Sequence, residues 1–261
     1  MNIAVITQPD SAVIPANIAL LARAEGVRVR AIVLLEGAGA VVNRRGSFVR
    51  GFGVWQCGRL AVRLAGRRFV AAVRRLVGVP LAEGEGLSVP AVARRLGVPC
   101  LRGSDPNDPR LLDHLASLDL DLVVSFSAPV VFRERLLALP RRGCINLHCS
   151  LLPRYAGLLP SFWTLYHGEA ETGATVHFMD TQIDNGGILG QERVPIAPGA
   201  TMLDMIRTTK RIGGELMVRV VRQVADGTAV VRDNRVAEGS YFGWPTVDDM
   251  RRFRRRGGRL A

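Results

Sequence analysis

The sequence predicts an open α/β fold: a mostly parallel sheet with helices on both faces and an added antiparallel hairpin. Three observations carry this. Short β-branched runs alternate with helical patterns over residues 2–147, the order that builds parallel sheets. The first strand-helix-strand unit, over residues 2–35, takes the right-handed crossover of such sheets. Beyond residue 170 the alternation stops, and two strand-like runs face each other across a short polar loop. An open sheet of this kind is Rossmann-like.

The elements follow in order. Asn2 to Thr7 is a short apolar run suited to a buried parallel strand. Gln8-Pro9-Asp10-Ser11 breaks it, and Ile14 to Ala24 has a helical apolar pattern stopped by Gly26. Val27 to Leu35 is β-branched and strand-like. Gly37 to Gly78 is rich in Gly and Arg with interleaved apolar residues, which predicts a loop and one or two basic amphipathic helices. Such helices suit a membrane surface or an anion-binding lid. The reading favoured here is plainer, a solvated arginine face over an apolar stripe packed on the sheet. Val89–Leu96 and Arg110–Leu118 are short helices, and Leu120 to Ser125 is a strand. A helix is expected from Ala128 through Leu137, then a strand over Cys144–Leu147. Gly173–Met179 and Gly187–Ile196 form the hairpin. Thr201 to Ala225 is a long helix whose methionines belong to the core. The aromatic run Tyr241-Phe242-Gly243-Trp244 is either a dimer contact or packing on its own domain, and the Arg251–Arg256 tail either binds a polyanion or pairs with acids such as Asp248 and Asp249. We therefore divide the chain into a catalytic domain over 1–200, with a basic helical insertion at about 44–78, and a C-terminal helix and Arg-rich tail over 201–261 packed on it.

Composition narrows the class. With 261 residues, 48% hydrophobic and 22% charged, the chain is neither disordered nor a disulfide scaffold. A chain this long hides roughly 70–75% of its unfolded surface, enough for a real core. Basic residues number 35 against 23 acidic, a formal +12, and Lys210 is the sole lysine. That excess attracts anions, but nucleic acid is not an expected partner on charge alone. Cys57, Cys100, Cys144 and Cys149 form no CxxC pair, and the four histidines show no metal-ligand spacing, so no metal is expected. The residues after Met1 form a strand rather than a basic leader, and no apolar run nears the ~20 residues needed to span a bilayer. A cytoplasmic location without membrane insertion is the expectation.

The chemistry-bearing residues concentrate between Cys144 and Gly187. Asn146 and His148 are two apart at the carboxyl end of a strand, so period two puts both side chains on one side. Ligands bind at such strand ends in open sheets. Asp184 follows in the hairpin loop Asp184-Asn185-Gly186-Gly187. An amide donor, an imidazole and a carboxylate suit acyl transfer: the first two stabilise an oxyanion, and the third orients the imidazole and moves protons. Ser150 lacks the G-x-S-x-G elbow of a serine nucleophile.

The string Cys144-Ile145-Asn146-Leu147-His148-Cys149-Ser150-Leu151-Leu152-Pro153-Arg154-Tyr155-Ala156-Gly157 resembles the signature of the folate-dependent formyltransferases. That family includes the glycinamide ribonucleotide, methionyl-tRNA and sugar N-formyltransferases. Its second motif is matched by Thr172-Gly173-Ala174-Thr175-Val176-His177-Phe178-Met179-Asp180 and Ile183-Asp184-Asn185-Gly186-Gly187-Ile188. The resemblance is strong over about 120–200. It implies 10-formyltetrahydrofolate as donor, a primary amine of a small molecule as acceptor, and Asn146, His148 and Asp184 as the catalytic trio. It also implies folate contacts, mostly through backbone, at Ser127, Pro129, Val131 and Phe132 and at Asp180, Gln182 and Ile183.

The sequence also departs from its relatives. Where the glycinamide ribonucleotide enzymes carry a Gly-rich phosphate loop, this chain has Gln8-Pro9-Asp10-Ser11-Ala12. The methionyl-tRNA enzymes carry a C-terminal barrel, and only some 60 residues follow Ile196 here. A formyltetrahydrofolate hydrolase would add an N-terminal regulatory domain. An amino sugar, possibly nucleotide-linked, is the leading acceptor, with an amino-acid or natural-product amine next. Arg44, Arg45 and Tyr155 are candidate acceptor contacts, and a homodimer is an open alternative. The rival readings are donor hydrolysis, a methionyl-tRNA formyltransferase-like enzyme lacking the barrel, and a basic RNA- or membrane-binding protein without catalysis.

Overall fold

A computed structural model describes residues 1–10, 13–37, 41–76 and 86–261; of residues 41–45, 67, 68 and 75 it describes only the backbone. The chain runs β1 (Asn2–Thr7), α1 (Ile14–Ala22), β2 (Arg28–Leu35), α2 (Val41–Leu76), α3 (Val89–Leu96), β3 (Cys100–Gly103), α4 (Pro109–Ala116), β4 (Leu122–Phe126) and α5 (Glu134–Leu137). It continues through β5 (Cys144–His148), β6 (Ala156–Gly157), α6 (Pro160–His167), β7 (Glu171–Phe178), β8 (Ile188–Pro195), α7 (Met202–Asp226), β9 (Tyr241–Phe242) and α8 (Val247–Arg255).

Seven strands form one sheet in the order β3-β2-β1-β4-β5-β7-β8. The first five are parallel, and β7 and β8 join as an antiparallel hairpin on the β5 edge. This is the α/β, Rossmann-like class the sequence predicts. The apolar runs explain it: Ile3, Ala4, Val5 and Ile6 are all fully buried because both faces of β1 are covered. One face packs under α1, α3 and α7, and the other under α4 and α5. The strand order switches side between β1 and β4, so their carboxyl ends open a crevice.

Local signals set the helix limits. Ser88 caps α3 by accepting from Ala91 N, and Gly97 ends it in the left-handed region at φ 65°. Thr201 and Asp204 form a reciprocal capping box at the start of α7. That helix runs close to both of its neighbours. A Cβ on Gly213 would meet Leu147 at 2.5 Å, and one on Gly214 would meet Asn17 at 2.3 Å.

Several expectations need correction. Helix α5 covers only Glu134–Leu137; Ala128–Arg133 is irregular, because Ser127 turns at φ 56° and Pro129 withholds an N–H. Strands β3, β6 and β9 were not expected. The insertion is one long helical stretch, broken at Gly53 (φ 82°), and its described apolar residues pack away from the sheet. Its first part packs Phe48 and Phe52 with Phe162, Trp244, Met250 and Phe253 in a separate aromatic cluster. Phe242 and Trp244 thus pack on their own chain, and Phe242 stacks 4.9 Å from Trp163. The tail arginines pair within α8, Arg251 with Asp248 at 3.2 Å and Arg252 with Asp249 at 3.8 Å.

Candidate active site

Strand β5 delivers Asn146 and His148 to the carboxyl edge of the sheet. The antiparallel register sets His177 of β7 directly opposite Asn146. Asp184 comes from the β7–β8 loop, in the left-handed region at φ 52°. Asn234 holds that turn by donating from Nδ2 to the Asp184 carbonyl at 2.8 Å. Four side chains from two strands and a loop therefore meet.

Their hydrogen bonds are specific. His148 Nε2 donates to the Tyr155 carbonyl at 2.8 Å, and His148 Nδ1 lies 3.3 Å from Asp184 Oδ2. An acceptor stands at each ring nitrogen, an arrangement only the imidazolium satisfies fully. His177 donates from Nδ1 to the Phe178 carbonyl at 2.7 Å. Its Nε2 is 3.3 Å from Asn146 Nδ2 and 3.5 Å from Asp184 Oδ1. His177 Nε2 thus faces both the Asn146 amide and the Asp184 carboxylate, and the ring holds the two in register. Asp184 Oδ2 also accepts from Gly157 N at 2.7 Å.

Asp184 is 8% exposed, and burial by itself raises its pKa. The positive charge of His148, the hydrogen bond and charge of His177, and the Gly157 N–H outweigh burial and bring the carboxyl down from 3.8 to about 2. The aspartate is therefore anionic across the physiological range. Gly157 is required for this contact. Its φ is +97°, and a Cβ there would sit 2.3 Å from the Phe242 carbonyl across the β6–β9 pair.

These groups line a cavity of about 430 Å³ at the carboxyl ends of β1, β4 and β5. All seven residues expected at the folate border it: Ser127, Pro129, Val131, Phe132, Asp180, Gln182 and Ile183. Phe132 backs it as core, while Val131 and Ile183 stand nearly half exposed at its rim. Asn107 clamps the 127–133 loop, donating to Val131 O at 3.0 Å and accepting from Arg133 N at 2.7 Å. Asp180 orders the other loop, accepting from Gln182 N and from Asn185 Nδ2. Ser125 Oγ is buried in the cavity wall with no hydrogen-bond partner among the described residues, so it is a polar atom left for a ligand.

The acceptor contacts expected from sequence fare differently. Tyr155 does not line the cavity: its hydroxyl donates to Glu169 at 2.6 Å and its ring stacks on Phe242. Burial, then the Glu169 carboxylate, push its pKa up to about 12. It serves the site through its carbonyl, which holds His148. The side chains of Arg44 and Arg45 lie outside those described. Residues the sequence reading passed over are His177, Ser125, Gln8, Ile206, Lys210 and Trp244. His177 was detectable only through its antiparallel pairing with Asn146. Lys210 reaches the cavity from α7 and pairs with Asp10 at 3.1 Å, while Asp10 caps α1 by accepting from Val13 N and Ile14 N. Among the described residues no His, Cys, Asp or Glu cluster could hold a metal ion, and no helix is long and apolar enough to cross a membrane.

Comparison with known proteins points to one family. The family model described as "Formyl transferase" matches residues 75–221. A methionyl-tRNA formyltransferase of Syntrophus aciditrophicus is 37% identical over 156 residues, 59% of this chain and 50% of that protein. The chain spans about half the length of the curated relatives it matches. Glycinamide ribonucleotide transformylase 1 of Symbiobacterium toebii superimposes with a TM-score of 0.61 at 23% identity, covering 89% of this chain and 93% of that one. An N-formyltransferase of Helicobacter canadensis, solved with folinic acid and dTDP-3-aminofucose, gives 0.61 at 16% identity, covering 97% and 80%. At these identities the two structures show a shared fold.

Proposed function

The chain belongs to the formyl transferase family, and from that premise we propose that it moves a formyl group from 10-formyltetrahydrofolate to a primary amine. The observation that carries the reading is the meeting of Asn146, His148 and Asp184 in one cavity, with His148 3.3 Å from the carboxylate. The donor supplies an electrophilic formyl carbon. Asn146, steadied by His177, donates an N–H to the oxygen that becomes anionic when the amine adds. Protonated His148 adds positive charge beside it. Asp184 keeps His148 in place and, through water, accepts the proton released by the amine; collapse of the adduct then breaks the bond from the formyl carbon to N10 of the folate, N10 takes up that proton, and tetrahydrofolate leaves. The rate is expected to be bell-shaped in pH, because His148 must be charged while the amine is neutral.

The donor fits the cavity chemically. Pro129, Val131, Phe132, Met179 and Ile183 offer apolar faces to a flat heterocycle, and the loops around Ser127 and Asp180 offer backbone polar edges. The orphan Ser125 hydroxyl fits a ring substituent or a formyl oxygen. The Helicobacter canadensis protein was solved with a folate analogue and an amino sugar nucleotide; by analogy an amino sugar is our leading acceptor here, in a metal-free, cytoplasmic reaction. Identity to methionyl-tRNA formyltransferases favours a second reading, in which the amine is carried on tRNA.

The test is donor turnover. Purified chain is incubated with 10-formyltetrahydrofolate alone, then with amino sugars, nucleotide-linked amino sugars, amino acids or methionyl-tRNA, following release of tetrahydrofolate. Turnover confined to an amino-sugar pool supports the leading reading, and turnover confined to methionyl-tRNA supports the second. Turnover without any amine would replace both with hydrolysis. Neither turnover nor folate binding would overturn the proposal.

A further inference from the structure

We propose that the outward face of the second part of α2, Val54–Leu76, docks on an anionic lipid surface. The proposal rests on this surface alone and is independent of the formyl-transfer reading. The helix meets the body through Cys57 and Leu60, partly buried against the aromatic cluster, and Ala71 on the same side is buried. Its opposite side is apolar and open to solvent. Trp55, Val62, Phe69 and Leu76 recur every seven residues, so they form one stripe that drifts only ~20° per repeat. They are 86, 71, 70 and 87% exposed, with Val54 and Val70 more than half exposed beside them. Isolated exposed apolar residues need no explanation, but a continuous stripe pointing away from its own core does.

Charge decides the occupant. Residues 37–82 hold nine arginines and no Asp or Glu. Arg59 and Arg63 flank the stripe and are exposed. A second copy of this face would bring its own Arg59 and Arg63 against these, with no acid on either helix to pair them. A nucleic acid would satisfy the arginines, but Val54, Val62, Val70 and Leu76 offer it neither stacking nor hydrogen bonds. An anionic bilayer satisfies both features at once: headgroup phosphates meet the guanidinium groups, and acyl chains receive the apolar stripe. No described helix can cross a membrane, so α2 lies in the interface plane, about 34 Å long at 1.5 Å per residue. Trp55 and Phe69 are residue types that settle at that boundary.

The face also lies near the cavity. Phe48, earlier in the same helical stretch, has its ring 5.5 Å from that of Trp244, and Trp244 lines the cavity. Docking through α2 would therefore hold the catalytic crevice close to the membrane surface.

The test is co-sedimentation of the full chain with phosphatidylcholine vesicles containing none, about a quarter or about half phosphatidylglycerol, near physiological salt. Pelleting should rise with phosphatidylglycerol and be absent from pure phosphatidylcholine. The double variant Trp55→Ser/Phe69→Ser should weaken binding roughly tenfold or more. Its melting temperature should stay nearly unchanged, because both side chains are largely exposed. No pelleting at any composition would overturn the proposal. So would equal pelleting of the double variant, which would leave the arginines as a generic polycation. Two further results would overturn it in favour of another occupant: a dimer in light scattering that the double variant converts to monomer, or retention of polyuridylate without vesicle binding.

Discussion

Replacing Asp184 by Asn tests the site at its centre. The carboxyl is held at about 2 rather than 3.8. At about 1.4 kcal/mol for each tenfold change in proton affinity, its surroundings favour the anion by roughly 2–3 kcal/mol. Part of that favour is the attraction to His148 at 3.3 Å and His177 at 3.5 Å. In the proposed mechanism the same attraction stabilises an imidazolium facing the developing oxyanion. An Asn keeps the shape and an oxygen for Gly157 N–H but discards the charge. Losing the charge beside the imidazolium together with the proton acceptor should lower kcat by roughly 10²–10⁴. Steady-state release of tetrahydrofolate measures kcat, and quenching of intrinsic fluorescence measures donor affinity, expected to change by less than about threefold because the folate walls are untouched. A variant that binds donor normally and keeps kcat within about fivefold of the parent would refute the charge argument.

Four further outcomes follow from the same geometry. Asp184 also carries a pH-dependent share of stability: because its folded pKa lies below the ordinary value, the contribution is complete above about pH 5 and is lost as pH falls towards 2, by roughly 2–3 kcal/mol. Urea melts of parent and Asp184→Asn between pH 2 and 6 should converge at the acid end, and a constant gap would contradict this. Gly157→Ala should lower stability by about 2–4 kcal/mol, since it combines a positive φ with a Cβ against the Phe242 carbonyl, and thermal melting would report a drop of several degrees. Gly213→Ala should destabilise by about 1–3 kcal/mol although Ala is the better helix former, because the added methyl drives into Leu147. Tyr155→Phe should cost about 1 kcal/mol through the lost Glu169 hydrogen bond and leave acceptor KM unchanged; a large rise in KM would return the ring to the acceptor site.

The parallel strands were legible because their β-branched runs are short, uninterrupted and separated by helical periods. Strand β3 was not, because Cys100-Leu101-Arg102-Gly103 carries no such run and owes its strand character to pairing with β2. Residues 128–133 misled in the opposite way. Their apolar string has a helical look, yet Ser127 at φ 56° and Pro129 make it the irregular cavity wall. The orientation of α2 was hidden for a different reason. Leu60 and Ala71 on one side and Trp55, Val62 and Phe69 on the other are both apolar, and periodicity cannot say which stripe meets the core. Asn146, His148 and Asp184 could be found because two motifs fix them. His177 was printed in the second motif but gains its meaning only from lying opposite Asn146.

That register is what makes the site a unit rather than four neighbours. Side chains alternate across a strand, so slipping β7 by one residue against β5 would send His177 to the other face and leave Asn146 without the ring that steadies it. The hairpin must then return Asp184 to the same face within six residues of Phe178. It does so through the left-handed turn at Asp184 and the close approach of Gly186, where a Cβ would sit 2.2 Å from the Phe178 carbonyl. One carboxylate thereby serves His148, His177 and the Gly157 N–H together. Each of these donors lowers the cost of keeping a buried anion, and the buried anion in turn favours a charged imidazole at the point where negative charge would develop. The antiparallel addition to an otherwise parallel sheet is thus the element that turns a ligand-binding crevice into the site proposed for acyl transfer.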